Sequence, residues 1–503
     1  MIVAIDTSAG LCLMHFDHDR ARAPCPDCLV ARLKEAGFAL NSSTSQHEDS
    51  QFPSALVDAM QVKDTRFAPV ARIVEDKATI HILLPVPNCS TCTHRQVRTP
   101  GSPPLTSAIL CDPLLGITSS FSYENMSKDK DLLCSTVTSR IHVPDAHEID
   151  HAYGQGIDLS ATAEAQLGET VERYTAFRPE WSRLITASAK DLGRKIPPLD
   201  HINGFDSEQR SKLGYASLSE KLKIAWIEGK ALKNGRPTFV PAASVFLKRS
   251  WNPDEARYDT LISHGLACHR SFEEARDRAL FEVYERYHLT VAWHRQDFGS
   301  LLNPAVLPPE LEPVLERLKR ANLTLHLMRL TSPPEIPVVL AALSGNRFPW
   351  ISLGSGAKYA LPDATARATV EACGGWQYKT NNSVPGSHKQ RLPFLAGAGE
   401  HSLYYTSEKR SLRLLKLLRR GITKASPERE HPTEKTILEL VGTLAPHAVA
   451  VDITTPDCSS CGYAVVKIVT PGLPIFQFGR VGTPNRNLSR AGLPPAKYVH
   501  PFP

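Results

Sequence analysis

No stretch of this chain approaches eighteen uncharged apolar residues, so a membrane-spanning helix is not expected. The opening MIVAIDTSAGLCLMHF lacks a positively charged start followed by a clean apolar segment, and the protein is therefore read as cytoplasmic. There is no strongly basic arm. A formal charge of +6 spread over 503 residues argues against nucleic-acid binding and leaves room only for a local anionic partner such as phosphate. A Walker-type G-x-x-x-x-G-K-[ST] loop and a kinase glycine loop are both missing, so a nucleotide would need another architecture. The G-x-S-x-G elbow of the α/β-hydrolases is missing too.

What the chain does have is proline, paired cysteine and paired glutamate. Thirty-nine prolines point to many extended connections, while an apolar fraction of 42% and a charged fraction of 22% fit an ordinary globular protein. The length implies two or three structural units. Eleven cysteines are an odd number, which speaks against a disulfide framework. Cys25 and Cys28 in PCPDC, and Cys89 and Cys92 in NCSTC, form two C-x-x-C knuckles that can complete a closed, structural tetrathiolate zinc site. Accidental spacing or a redox pair is the alternative. A third pair, Cys458 and Cys461 in PDCSSC, has no matching pair and is read as surface thiols, with a redox or second metal site as the sharper reading.

The Pro/Ser/Thr-rich RTPGSPPLTS marks a boundary between an N-terminal domain, residues 1–108, and a larger body, residues 109–503. In the body, SAILCD, PTFVPAASVFL, IPVVLAALS, HAVAVDIT and YAVVKIVTPGLPIFQFG predict strands alternating with helices, hence an α/β or α+β fold. SEKRSLRLLKLLRRGITK predicts an amphipathic helix with Leu412, Leu415 and Leu418 on its apolar face. The terminal GLPPAKYVHPFP is too rich in proline for a helix and predicts an extended tail.

HEIDH, His147 to His151, is a literal H-E-x-x-H, the pattern of a zinc peptidase. Pro144 before it, Gly154 and Gly156 after it, and the charge of Asp150 leave no room for two helical turns. A chance match in a loop is the favoured reading.

The pattern E-x-x-E-R-Y occurs twice, starting at Glu169 and at Glu282. Apolar residues at i, i+4 spacing, Ala163, Leu167 and Val171 in one case and Ala275, Ala279 and Val283 in the other, predict helices. Each follows a glycine-containing loop and a serine suited to the N-cap, Ser160 and Ser271. Glu169, Glu172 and Arg173, like Glu282, Glu285 and Arg286, then share one helical face. A third unit, GSGAKYALPDATARATVEACGG, repeats the plan with Ala364, Ala368, Ala372 and Glu371. Solvated helices with local ion pairs would explain one such motif. Two converging carboxylate faces are costly unless cations neutralise them, and magnesium held together with substrate phosphates is the usual solution.

GQGIDLSATAEAQLGETVERYTA, SHGLACHRSFEEARDRALFEVYERYHLTVAW, GSGAKYALPDATARATVEA and VVKIVTPGLPIFQFG…VHPFP, in this order, resemble the motifs of the YcaO family, specifically the D protein of azoline-forming cyclodehydratases. PCPDCLVARL and HILLPVPNCSTC resemble the zinc-bearing segment that precedes the YcaO domain in this class. The resemblance implies a YcaO-type fold of repeated α/β units around an ATP site. It also implies an ATP-dependent reaction in which Cys, Ser or Thr of a ribosomal precursor peptide attacks the preceding amide and the amide oxygen leaves as phosphate. Thiazoline or oxazoline results, as in the maturation of thiazole/oxazole-modified microcins and related bacteriocins. By the same resemblance Glu169, Glu172, Glu282 and Glu285 hold magnesium, Glu274, Arg286 and Arg173 contact ATP, and the carboxylate of Pro503, after Pro501, orients substrate or moves a proton. The implied partners are the precursor peptide, a leader-binding protein of the E1-like or ocin-ThiF type, a flavin dehydrogenase and a second copy of the chain. The sequence departs from the family pattern at Gln155, where G-K-G is usual, at Tyr287, at Gly374, where glutamine is expected, and at Val499. Alternatives are thioamide or amidine formation, or a docking subunit without turnover.

Overall fold

In the computed structural model the described residues are 2–16, 24–41, 44–61, 66–75, 77–92, 104–123, 134–142, 151–202, 204–247, 252, 254–259, 261–382, 398–423, 433–476 and 486–502. Four sheets organise them. The N-terminal sheet contains β1 (Ile2–Thr7), β2 (Gly10–His15), β3 (Ser45–His47), β4 (Ala68–Val74) and β5 (Lys77–Leu83) in the order β3-β1-β2-β4-β5. Alternation sends Val3 and Ile5 to one face, where they pack with the four cysteines of the two knuckles, and Ile2 and Ala4 to the other. The helix Pro26–Glu35, here the cysteine helix, starts directly at Cys25 because Pro26 is preorganised for the first helical turn.

A three-stranded sheet follows, β6 (Thr118–Tyr123), β7 (Ser135–Ile141) and β8 (His151–Gly156), paired in that order. The first glutamate helix, Leu159–Ala176, packs on β7 and β8. Next come β9 (Leu184–Ser188), β10 (Lys223–Ala231), β11 (Pro237–Pro241) and β12 (Leu266–His269), then the second glutamate helix, Phe272–Arg295. A four-stranded meander of β13 (Ser300–Leu302), β14 (Thr324–Arg329), β15 (Val338–Ser344) and β16 (Ile351–Ala357) leads into the third helix, Leu361–Asn382. Finally β17 (Val449–Asp452) and β18 (Ala464–Val469) return to complete a six-stranded sheet, β11-β10-β17-β18-β12, with β9 paired to β10. Every ladder between these named strands is antiparallel, so the mixed fold is of the α+β kind.

Several sequence expectations are corrected here. SAILCD forms a 3₁₀ turn over Ser107–Leu110, capped by Thr106, and not a strand. PTFVPAASVFL is a strand only to Pro241 before a further 3₁₀ turn. The helix Glu408–Arg420 forms as expected, but Leu412 is 57% exposed, and Leu414 and Leu418 are the leucines it buries. Cys458 and Cys461 are not surface thiols. They are fully buried beside Cys268 and Val465, and burial raises the proton affinity of both thiols. The N-cap of the first glutamate helix is Asp158, whose side chain accepts from Ala161 N at 2.8 Å, and not Ser160. His151 opens β8 rather than closing a helical turn, so the H-E-x-x-H pattern lacks the helix it requires; His147 lies outside the described residues.

The tail is extended and anchored. Trp293 Nε1 donates to Tyr498 O at 3.2 Å, Tyr405 OH to Val499 O at 2.6 Å, and His401 Nδ1 bonds His500 O at 3.1 Å. Phe502 is buried against Trp293 and stacks on Phe476. Pro503 lies outside the described residues.

Candidate functional site

The two glutamate helices lie on opposite faces of the β12–β18 pair. Leu266, Cys268 and Val465 turn towards Val171 of the first helix, whereas Ala267, Val466 and Ile468 turn towards Ala275 and Val283 of the second. Both sets of carboxylates come together where β12 begins. Gly265, with φ +72°, donates its N–H to Glu282 Oε2 at 3.2 Å, and a Cβ there would stand 2.6 Å from Ile468 O. Glu169 pairs with Arg173 at 2.7 Å, and Arg286 stands 4.0 Å from Glu282.

The third helix reaches the same place through β16. Gly354 and Gly356 let it lie directly on the strand, since a Cβ at either would come within 2.3 Å of its backbone. Ser355 between them faces the other way: its hydroxyl donates to Glu285 Oε1 at 2.5 Å, while its N–H donates to Glu371 Oε2 at 3.1 Å. Glu371, noted in the sequence only as a single acid, thus joins the other four.

The electrostatics describe a site that needs cations. Burial first and then Glu169 raise the Glu172 carboxyl well above the usual range, against Arg173. Burial raises Glu282, with Glu285 adding to it and Arg286 opposing; burial and then Glu285 raise Glu371. Besides Arg173 and Arg286, a counter-charge comes from Lys467, buried on β18, whose ammonium donates to Ile262 O at 2.7 Å and His264 O at 2.5 Å and acts on Glu282 and Glu172. Burial pushes it down to about 8. Clustered oxygen ligands of this kind suit Mg2+, which is bound through carboxylates and substrate phosphates.

The sequence reading missed a second set of charges. Arg278 lies four residues from both Glu274 and Glu282, and Arg367 lies four residues before Glu371, so R-x-x-x-E recurs on the second and third helices. Among the described residues neither arginine has a carboxylate within ion-pairing distance. Both side chains reach solvent; Glu285, Glu371, Glu282 and Glu169 raise Arg367 against its partial burial, while partial burial and then Arg367 lower Arg278. Lys358 is lowered by burial and by the same two arginines. Cations on these two helices beside a carboxylate cluster are the kind of group that receives phosphate oxygens. Glu274 stands apart from the cluster. It is exposed at the start of its helix, bonded to Ser271 Oγ at 2.9 Å and His269 Nδ1 at 2.6 Å, with Ser271 as the N-cap.

The pattern described as YcaO cyclodehydratase, ATP- and Mg2+-binding, matches residues 153–474, which include all five clustered glutamates. The chain belongs to the YcaO family. Its ATP- and Mg2+-binding character therefore stands at the level of the family. Among solved structures, a heterocyclase in complex with substrate and cofactor superposes with a TM-score of 0.71 at 18% identity, covering 100% of this chain and 77% of that one. YcaO from Methanopyrus kandleri, bound with AMPPCP and Mg2+, gives 0.52 at 18% identity over 73% of this chain and 90% of that one. The E. coli microcin synthetase McbBCD complex with pro-MccB17 bound gives 0.50 at 16% identity over 70% and 87%. At these identities the likeness shows the shared YcaO fold. An uncharacterized protein of Mycobacterium tuberculosis is 24% identical over 337 residues, 65% of this chain and 70% of its own length.

The cysteine knuckles form the second site. Cys25 and Cys89 Sγ are 3.4 Å apart, Cys28 and Cys92 3.4 Å, and Cys25 and Cys28 3.9 Å, and all four Sγ lie within 4.8 Å of one another. A tetrahedron with Zn–S bonds of ~2.3 Å has S···S edges of ~3.8 Å, so the four thiols fit zinc. All four are buried, and Val86 N–H points at Cys28 Sγ from 3.4 Å. Among the described residues no helix is long and apolar enough to cross a membrane.

Proposed function

We propose that this YcaO chain is the ATP-dependent cyclodehydratase component that converts Cys, Ser or Thr of a ribosomally synthesised precursor peptide into thiazoline or oxazoline. The observation that carries the reading is the convergence of Glu169, Glu172, Glu282, Glu285 and Glu371 from three helices, flanked by Arg278 and Arg367. The glutamates would hold Mg2+, which when bound neutralises phosphate charge. Arg173, Arg286, Arg278 and Arg367 would bind and orient the triphosphate, and Glu274 would contact the nucleotide from the first turn of its helix. Such positioning and neutralisation supply most of the barrier reduction in phosphoryl transfer.

The thiol or hydroxyl of the substrate adds to the preceding amide carbon. The amide oxygen takes the γ-phosphoryl group of ATP, and phosphate then leaves as the ring C=N forms, giving azoline, ADP and phosphate. The carboxylate of Pro503, which follows the tail anchored by Tyr498, Val499 and His500, would orient the substrate amide or move its proton. Residues 1–108 would form the zinc-bearing domain and 109–503 the cyclodehydratase domain. A separate leader-binding protein presents the precursor, and the chain acts as a homodimer.

Calorimetric titration of Mg-ATP into the wild-type chain, Glu172→Gln and Glu285→Gln tests the nucleotide site. Binding to the wild type and loss in both variants is the expected result. Mass spectrometry of a precursor peptide incubated with the chain, its partner and ATP then tests the reaction, with one water lost per ring. A wild-type chain that binds no Mg-ATP, alone or with its partner, would refute the reading.

A further inference from the structure

The cysteine helix meets the first glutamate helix through charge, and the contact is buried. Arg32, one turn beyond Cys28, donates from Nη2 to Asp457 Oδ2 at 2.6 Å, and the same oxygen accepts from Tyr174 OH at 2.7 Å. Glu35, at the end of the cysteine helix, pairs with Arg178 just beyond the glutamate helix and stands 3.5 Å from Arg32. The guanidinium carbons of Arg32 and Arg178 lie 5.4 and 5.0 Å from the centroid of the Tyr174 ring. Asp457, from the short helix Pro456–Ser460, is fixed in turn by Cys458 N–H at 2.9 Å. Asp457 and Tyr174 are fully enclosed and Arg32 is 1% exposed.

Two arginines and two carboxylates make this cluster neutral, so burial leaves no net charge behind. Its form is not what simple packing requires. Apolar contacts are non-directional and tolerate rotation of a helix about its axis. A phenol bonded to a fixed carboxylate, with two guanidiniums close to its ring, is directional. Tyr174 follows Arg173 and lies two residues from Glu172 on the same rigid helix. A rotation that breaks its bond to Asp457 also displaces Glu169, Glu172 and Arg173 relative to the second helix.

We propose that Arg32 is a positioning residue for the nucleotide site: through Asp457 and Tyr174 the cysteine-bearing unit sets the rotation of the first glutamate helix and so the placement of Glu169 and Glu172. The inference rests on the reading of these glutamates as part of the Mg-ATP site. Sequence gave no sign of it, because Arg32 and Asp457 are more than four hundred residues apart.

The test is calorimetric titration of Mg2+ with a non-hydrolysable ATP analogue into the full chain, carried out well below the lowest melting temperature among the variants. Tyr174→Phe keeps the ring and removes only the bond to Asp457. The pair Arg32→Met with Asp457→Leu replaces the ion pair by apolar groups, an exchange that commonly leaves stability intact. Both folded variants are expected to bind about tenfold more weakly than the wild type. Wild-type affinity in either folded variant, whether or not its melting temperature falls, would overturn the proposal and leave the nucleotide site itself standing. A wild type that binds nothing would remove the nucleotide reading, and this proposal with it.

Discussion

The side-chain amide of Gln155 lies against the bare Cα of Gly374: a Cβ at 374 would stand 2.2 Å from Gln155 Cδ and 2.4 Å from its Oε1. Gly154 and Gly156, on either side of Gln155, lie equally close to the first glutamate helix, at Thr162 and Gln166. The G-x-G at the end of β8 thus works like the one in β16. Its glycines seat the strand's own helix, and its middle residue serves another, Gln155 reaching the third helix and Ser355 the second. The two departures at Gln155 and Gly374 are consequently one structural feature.

Gly374→Ala should therefore displace the Gln155 amide and cost about 1 kcal/mol, the low end for overpacking because a flexible side chain can yield. Adding Gln155→Ala should return most of that loss. A double-mutant cycle by denaturant unfolding measures the coupling, and strictly additive effects would contradict the contact.

Glycines elsewhere in the same modules separate cleanly by surroundings. At Gly354 a Cβ would meet Ala368 O and Ala372 N at 2.3 Å, backbone that cannot move aside. Gly354→Ala should cost roughly 3 kcal/mol or more. Gly168, inside the first glutamate helix, has nothing within 4 Å of its Cβ position. Gly168→Ala should stabilise by up to about 1 kcal/mol through helix propensity alone. Thermal unfolding of the two variants should show shifts of opposite sign.

Zinc removal should affect the N-terminal unit most, because the four cysteines sit inside its apolar cluster with Val3, Ile5 and Leu29. Cys28→Ser, or a chelator selective for zinc, is expected to remove on the order of several kcal/mol from that unit. Cobalt substitution should give the absorption of a four-thiolate tetrahedral centre, and octahedral cobalt bands would argue against the site.

The raised carboxyls of Glu172, Glu282 and Glu371 give metal binding a definite pH dependence. In the window between the ordinary glutamate value and the raised ones, the folded chain holds more protons than the unfolded chain, so these groups lower stability as pH rises. Mg2+ must displace those protons. Its affinity should fall as pH drops through the window, and calorimetry in buffers of different ionisation enthalpy should register proton release. Buffer-independent heats would show that the carboxyls are already ionised.

Local patterns in the sequence were legible and distant ones were not. The repeated E-x-x-E-R-Y, the alanine ladder of the third helix and the Ser271 cap all follow from spacing and were met by the structure. Ser160 is expected as the cap, and Asp158 takes that place because β8 stops earlier, where its pairing with β7 ends. Cys458 and Cys461 looked like surface thiols because the sheet that buries them gathers strands from β9 to β18. Arg278 and Arg367 were visible as R-x-x-x-E in two repeats but blended with the many solvated arginines around them. That neither has a carboxylate within ion-pairing distance among the described residues is a property of the folded chain.

For Arg278 the lack of a close carboxylate separates a binding role from a structural one. An arginine that supports the fold does so through a partner, and removing it costs stability. Arg278 is lowered by burial and by Arg367, and its charge opposes the folded state, so Arg278→Gln should leave the melting temperature unchanged or raise it slightly. If the same charge receives a phosphate oxygen, its loss removes a charge-assisted hydrogen bond of about 1.5–3 kcal/mol, which is roughly a tenfold to hundredfold loss of Mg-ATP affinity. Arg367 differs in sign: Glu285, Glu371, Glu282 and Glu169 raise it against its burial, so its charge favours the folded state and Arg367→Gln should lower the melting temperature. Stability held or gained while nucleotide affinity falls is a combination that a purely structural arginine cannot produce. A melting temperature of Arg278→Gln that falls with affinity unchanged would place that side chain in the scaffold instead.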